Sequence, residues 1–248
     1  MDFKRVLFKV SGEILMGDKS FGYDANIMLR LVDEVSRMYK LGMQLCLVIG
    51  GGNIFRGVPR ANSNSESMID RVNADYMGML ATVMNGIALQ NFLNHANIPV
   101  EMQSALAIEK VCGGYNRKQA LEHIEDGKVV LFVGGTGNPF FTTDTASVLR
   151  ASEMHCDVVL KGTQVDGVYS EDPKIFPEAE RYKSITFDDV LSKNINIMDQ
   201  TAFALAKSNG IPIIIFKLMG EDSVVDILSA RDKYTLVSND VSTEKFHV

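Results

Sequence analysis

Along the chain, short apolar runs alternate with longer stretches in which apolar residues recur every three or four positions. The runs at 5–10, 44–49, 129–133, 158–160 and 211–216 are rich in Val, Ile, Leu or Phe and bounded by polar residues or glycine. Runs of that kind predict strands buried on both faces. Between the first two, Asp24 is placed to cap a helix whose Ile27, Met28, Leu31, Val32, Val35 and Met38 share one face, and Gly42 ends it. The result is a βαβ unit. Further helices are predicted over 75–94, 116–125, 144–155, 199–209 and 221–230. Such alternation implies an α/β fold around a mainly parallel sheet. Two polar stretches break the rhythm. Residues 59–67, rich in Asn and Ser, read as a mobile loop, and 170–183, with Pro173 and Pro177, as a surface connection between two halves of the molecule. Residues 240–248 read as a tail.

Composition narrows the class. At 248 residues, 46% hydrophobic and 23% charged, the chain is neither disordered nor fibrous and can bury one large core or two small ones. Three scattered cysteines without a Cys-x-x-Cys spacing argue against a disulfide framework and for a reducing compartment. No apolar run nears the roughly eighteen residues a bilayer demands, and Lys4 and Arg5 lead straight into a strand without a cleavable signal, so the expected address is the cytoplasm. A net charge of -6 disfavours a nucleic-acid surface, and nothing points to a membrane. Small anions remain possible ligands, because a local group of cations acts over about 8 Å whatever the global charge.

The chemistry concentrates in three glycine-rich turns that follow strands: Lys9-Val10-Ser11-Gly12, Gly50-Gly51-Gly52-Asn53 and Gly134-Gly135-Thr136-Gly137-Asn138-Pro139. In a parallel sheet all three fall at the carboxyl edge of the strands, where ligands bind. Glycines let backbone N–H groups approach oxygen anions, and Lys9 and Arg56 add full positive charge. One such turn alone is ordinary turn chemistry. Lys9 is harder to explain that way, since a cation ending an apolar strand is costly without an anionic partner. A Walker loop is excluded, because Gly127-Lys128 is followed by Val129. The dinucleotide fingerprint fails where Gly50-x-Gly52-x-x ends on Phe55.

Carboxylates form the second constellation. Asp75 and Asp144 are expected to open helices, and Asp166, Asp172 and Asp199 to lie in turns; helix capping accounts for Asp144 and Asp199 as readily as chemistry does. What sets Asp144 apart is the run from Thr136, where hydroxyls, an amide and two phenyl rings crowd together, a mixture suited to a base and its ribose. His95, His123, His155 and His247 lack metal-ligand spacing, so no zinc site is expected. Ser11 lacks the Gly-x-Ser-x-Gly setting of a nucleophile and reads as a donor to phosphate.

Lys9-Val10-Ser11-Gly12-Glu13, Ile49-Gly50-Gly51-Gly52-Asn53-Ile54-Phe55-Arg56-Gly57, Asp75-Tyr76-Met77-Gly78-Met79-Leu80-Ala81-Thr82 and Gly135-Thr136-Gly137-Asn138-Pro139-Phe140-Phe141-Thr142-Thr143-Asp144 closely resemble the bacterial uridylate (UMP) kinase family. So do Asp157-Val158-Val159-Leu160-Lys161 with Thr163, Val165-Asp166-Gly167-Val168-Tyr169, Asp172-Pro173 and Met198-Asp199, and the likeness spans residues 4–218. The resemblance implies the amino-acid-kinase fold, a three-layer αβα sandwich with a central, mainly parallel sheet. It implies one domain over 1–248, with an acceptor-binding lobe at roughly 1–155 and a donor-binding lobe at roughly 156–240. It further implies transfer of the γ-phosphoryl of ATP, with Mg²⁺, to UMP, a homohexameric assembly, and GTP and UTP as effectors.

Carried onto this chain, the resemblance assigns Lys9, Val10, Ser11, Gly12, Gly52 and Arg56 to the phosphates of ATP, and Thr163, Tyr169 and Asp172 to its adenosine. Gly51, Asp75, Thr136, Gly137, Asn138, Pro139, Phe140, Phe141, Thr142 and Thr143 are assigned to UMP, Asp75 toward the ribose. Lys9, Arg56, Asp144 and Asp199 are the implied catalytic residues, with Asp144 near magnesium and Asp199 near Lys9. Two other readings stay open on the residues alone: a kinase of the same fold acting on a carboxylate or carbamate, and a sensor that binds UMP or UTP without turnover.

Overall fold

The computed structural model describes residues 3–56, 69–173, 175–230 and 233–246. The described residues run in the order β1 (Arg5–Val10), α1 (Ala25–Lys40), β2 (Gln44–Ile49), α2 (Arg71–His95), β3 (Val100–Ser104), β4 (Gly113–Gly114), α3 (Arg117–Glu125), β5 (Val129–Val133), α4 (Thr143–Glu153) and β6 (Val158–Thr163). They continue with β7 (Tyr182–Thr186), α5 (Phe187–Ser192), α6 (Gln200–Asn209), β8 (Ile213–Lys217), α7 (Val224–Ser229), β9 (Tyr234–Ser238) and β10 (Glu244–Lys245). The strands form one sheet in the order β10-β7-β9-β8-β6-β1-β2-β5-β3-β4. Everything from β8 to β4 is parallel; β9 runs against β8, and β10 against β7.

Three layers follow from the alternation of side chains along the strands. Val6, Phe8 and Val10 of β1 enter one core with Leu31 of α1, Leu89 of α2 and Ile227 of α7. Leu7 enters the other with Ile124 of α3, Val148 of α4, Val190 of α5 and Phe203 of α6. The central strands are thus buried on both faces, as their unbroken apolar runs predict, and the expected αβα sandwich is the fold observed. The chain leaves β1 for β2 on one side and later sets β6 on the other, so β1 stands where strand order reverses. The crevice beyond the carboxyl end of such a strand is the usual ligand site of an open α/β sheet. Among the described residues no helix is long and apolar enough to cross a membrane.

Several expectations need correction. Helix α2 starts at Arg71, capped by Asp70, whose side chain accepts the N–H of Asn73 at 2.9 Å. Asp75 therefore sits one turn inside the helix; the polar opening turn hid the earlier start. Likewise Thr142, not Asp144, caps α4. Asp24 and Asp199 cap α1 and α6 as expected. Residues 170–183 do not join two halves: the segment is an excursion closed at its base by a bridge between Tyr169 and Arg181 and by the Ser170 N–H on the Glu180 carbonyl. The segment from Asp240 is no free tail, since Glu244 and Lys245 add an edge strand to β7 and the Ser242 carbonyl accepts from the Ser184 hydroxyl. The loop expected at 59–67 lies outside the described residues.

Helix α2 lies close on the sheet at Gly86, where an added Cβ would fall 2.5 Å from Val133 Cγ1 and 2.8 Å from Met102 Sδ. A valine methyl has little rotameric escape. Gly86→Ala should therefore lose about 1–2 kcal/mol in urea denaturation, overpacking outweighing the helix propensity gained. A variant more stable than the parent would contradict this packing.

Candidate active site

Two lysines mark the carboxyl edge of the sheet. Lys9 on β1 and Lys161 on β6 are direct neighbours in register and, by the two-residue alternation, share the face that carries α4 and α6. Each is only 5% exposed. Paired cations in such a place need an anion between them, and α4 brings one. Lys9 Nζ stands 2.6 Å from Asp144 Oδ1, and Lys161 Nζ 2.7 Å from Oδ2. Lys161 also donates to the Ile197 carbonyl at 2.6 Å.

Burial by itself would raise the Asp144 carboxyl, but the two ammonium groups more than reverse this and hold it well below the usual carboxylate range. Burial likewise drives Lys161 down, to about 8, with Asp144 opposing the shift and Lys9 adding to it. Asp199 binds the same helix pair from α6: its carboxylate accepts from the hydroxyls of Thr142 and Thr145 and from the N–H of Ala202. An ammonium offers three donors, so both lysines keep capacity for an incoming anion.

The glycine turns close the crevice around this centre. A Cβ on Gly12 would sit 2.7 Å from the Gly50 carbonyl carbon and oxygen, so the first two turns meet backbone to backbone. One on Gly51 would meet Ala81 Cβ and the Gly78 carbonyl oxygen of α2, each at 2.8 Å. Beneath them Asn53 and Asn85 exchange reciprocal amide bonds of 2.6 and 3.0 Å, and Asn85 donates to the Gly50 carbonyl. Ser11 opens a short 3₁₀ turn, Gly12–Met16, without spending its side chain on the cap. Val10 buries its side chain in the core, and its carbonyl accepts the Gly50 N–H at 2.9 Å, joining the first two turns. Arg56 is mostly exposed and pairs with Glu13 at 3.0 Å, beside Gly52, whose added Cβ would meet Glu13 Cγ at 3.2 Å.

On one flank of the centre lies the loop 136–143. Gly134 and Gly135 just before it and Gly137 and Phe140 within it take positive φ, and the Thr136 hydroxyl bonds the N–H and carbonyl of Asn138 at 3.1 Å each. The Phe140 N–H donates to Asp75 Oδ2 at 2.7 Å, tying the loop to α2. Phe140 and Phe141 expose their rings beside Pro139. On the opposite flank a cavity of about 440 Å³ is lined by Tyr169, Asp172, Lys193, Asn196 and Ile197, among others. Ile197 links it to the centre through the carbonyl held by Lys161. Tyr169 donates to Asp166 at 2.8 Å; burial, aided by that bond, pushes its phenol up to about 12. Thr163 ends β6, its hydroxyl accepting the Val165 N–H at 3.2 Å.

Sequence reasoning singled out Lys9, Asp144 and Asp199, which the fold unites through α4 and α6, and Tyr169 with Asp172, which share the cavity. Lys161 was missed as a site residue, although a lysine inside a buried strand carries the signal that marks Lys9. Arg71, bound to Asp75 through both carboxylate oxygens at 2.9 Å, was missed as well. Among the described residues no group of three or more His, Cys, Asp or Glu side chains could cage a metal ion.

Comparison with known proteins agrees with this geometry. The amino acid kinase family model matches residues 4–217. A protein named uridylate kinase from Wolbachia sp. subsp. Brugia malayi (strain TRS) is 48% identical over 237 residues, covering 96% of this chain and 94% of its own. One of the same name from Wolbachia pipientis wMel is 49% identical, with the same coverage. The crystal structure of UMP kinase from Bacillus anthracis superposes with a TM-score of 0.92 at 35% identity, over the whole of both chains. That of UMP kinase from Ureaplasma parvum gives 0.88 at 38%, over 96% of this chain and all of its own.

The lowered Lys161 has a measurable consequence for folding. An unfolded lysine titrates near 10.5 and the folded one near 8, so between those values the unfolded chain binds more protons and the stability owed to Lys161 rises with pH. Relative to Lys161→Met, and without nucleotide or metal, the parent should gain up to about 3 kcal/mol on going from pH 8 to pH 10.5 in denaturant titrations. A pH-independent difference would contradict the assigned burial.

Proposed function

The chain belongs to the amino acid kinase family, and we propose that it is a uridylate kinase, transferring the γ-phosphoryl group of ATP to UMP to give UDP and ADP. One observation carries the reading: the Lys9, Asp144 and Lys161 centre lies between a constrained loop with exposed phenyl rings and a cavity of about 440 Å³. The arrangement suits two nucleotides laid end to end, one in the cavity and one against the loop, with their phosphates meeting over paired cations. The acceptor side draws on residues 1–155, through Gly51, Asp75 and the loop 136–143. The donor side draws on 156–240, through Thr163, Tyr169 and Asp172.

An acceptor phosphate oxygen is already nucleophilic near neutral pH, so the chemistry asks for alignment and charge stabilisation instead of a strong base. Lys9 and Lys161 stabilise the negative charge that spreads over the moving phosphoryl group. Asp144 keeps the two ammonium groups from drifting apart. Asp199 holds Thr142 and Thr145, and so fixes the start of α4 on which Asp144 rides. Arg56, beside Gly52, reaches the phosphates from the solvent side of the crevice.

The donor set fits magnesium carried in on ATP better than a resident ion. Both Asp144 oxygens already face ammonium groups, and this cation is commonly bound by one or two carboxylates together with substrate phosphates. Asp144 and Asp199 are the carboxylates that would face it. When bound, magnesium supplies charge neutralisation on the phosphate oxygens.

We infer a homohexamer from the same family resemblance. Support for self-association comes from α2, where Tyr76, Leu80, Met84 and Ile87 leave an apolar stripe exposed. Effector roles for GTP and UTP rest on the resemblance alone. Three free cysteines, two of them buried, fit a reducing compartment such as the cytoplasm.

The reading is tested by mixing the protein with MgATP and a panel of nucleoside monophosphates and following ADP release. UMP should be turned over. A loop built to hydrogen-bond uracil should reject CMP by a factor of up to about 10⁴ in kcat/KM, because buried groups would be left unpaired. Equal use of both would overturn the uracil assignment, and no ADP with any monophosphate would overturn the activity.

A further inference from the structure

Arg71 is the first residue of α2. Its Nε lies 2.9 Å from both oxygens of Asp75 one turn further on. Helix stability does not explain the pair. A cation in the first turn opposes the helix dipole, the stabilising order at this spacing puts the carboxylate first, and half-exposed pairs of this kind contribute little to folding. The pairing acts elsewhere. Asp75 Oδ2 also accepts the N–H of Phe140, whose φ of +72° lies in the left-handed region that a bulky residue rarely enters. Some contact outside the loop has to hold Phe140 there, and Arg71 contributes twice: it fixes the carboxylate, and its guanidinium carbon lies 5.6 Å from the Phe140 ring centroid.

We propose that Arg71 is a positioning residue for the acceptor nucleotide, acting through Asp75 to set the loop 136–143 before UMP arrives. This deepens the uridylate kinase reading and rests on it. A carboxylate has about four acceptor positions. Arg71 takes one on each oxygen and Phe140 a second on Oδ2, which leaves one, on Oδ1, for a ribose hydroxyl. Without Arg71 the carboxylate turns freely, Phe140 loses the partner that holds its backbone, and the acceptor meets a loop it must first order. The donor side, on the far flank of the Lys9, Asp144 and Lys161 centre, is untouched.

Two measurements on Arg71→Leu and Arg71→Lys test this. Amide hydrogen exchange on the chain without nucleotide reads the clasp directly: Phe140 should exchange about tenfold faster or more in Arg71→Leu, the loss of one charge-assisted hydrogen bond, and at an intermediate rate in Arg71→Lys, which keeps the charge but not the Nε donor shared between the two oxygens. Steady-state kinetics should show KM for UMP raised by about tenfold in Arg71→Leu, with KM for ATP and kcat changed much less, and a part of the effect recovered in Arg71→Lys. Unchanged exchange at Phe140 overturns the proposal. So does a loss spread equally over both substrates, which marks general destabilisation, or a KM for UMP equal to the parent's. If the unmodified protein releases no ADP from MgATP and UMP, the activity reading fails on its own, and exchange at Phe140 still decides whether Arg71 holds the loop.

Discussion

Two buried ammonium groups share one carboxylate, and the rest of the molecule is arranged to keep them there. Removing Asp144 would strand two like charges on neighbouring strands in a site nearly closed to water, the costliest way to break a buried ion pair. Keeping it leaves an excess of positive charge at the sheet edge, offset in part by Asp199, with unspent N–H donors. Such a centre can receive a further anion. Burial weakens Lys161's hold on its proton while Asp144 strengthens it, so the charge state of the centre depends on geometry as much as on pH.

The fold supplies that geometry from residues far apart in sequence. Parallel pairing of β1 with β6 puts Lys9 beside Lys161; α4, starting at the end of the loop 136–143, delivers Asp144 between them. Asp199 then joins the starts of α4 and α6 by accepting from Thr142 and Thr145 while capping its own helix. One aspartate thereby serves as helix cap and as brace between two helix starts. Glycines at 12, 50 and 51 let two turns and a helix approach to distances that side chains would forbid. The loop 136–143 is fastened from outside, through Asp75, by a contact that lies apart from the charged centre.

Much of this was legible in the amino-acid sequence, for identifiable reasons. Strands buried on both faces leave unbroken apolar runs, which is why β1, β2 and β5 were located to the residue. Strands with one polar face or at an edge, such as Val100–Ser104 and Tyr182–Thr186, carry mixed patterns and were not seen. Lys9 stood out because a cation ending an apolar strand demands a partner, whereas Lys161 hid in a shorter run whose continuation through Gly162 and Thr163 did not read as strand. The start of α2 was misplaced because its first turn is polar, and with it went the meaning of Asp75: a residue inside the helix that reaches sideways to a loop, instead of a cap. Arg71 and Asp75 stand four apart, a spacing that pairs them once the helix is known to start at Arg71, whereas the contact of either with Phe140 is tertiary and no local spacing encodes it.

The central claim, that two nucleotides meet with their phosphates over Lys9 and Lys161, is tested most directly by a crystal structure with UMP and a non-hydrolysable ATP analogue bound together. The account predicts uracil against the loop 136–143, adenosine in the cavity lined by Tyr169 and Asp172, and both ammonium groups within hydrogen-bond reach of the phosphoryl group between them. Nucleotides bound apart, or phosphates lying away from the two lysines, would contradict it.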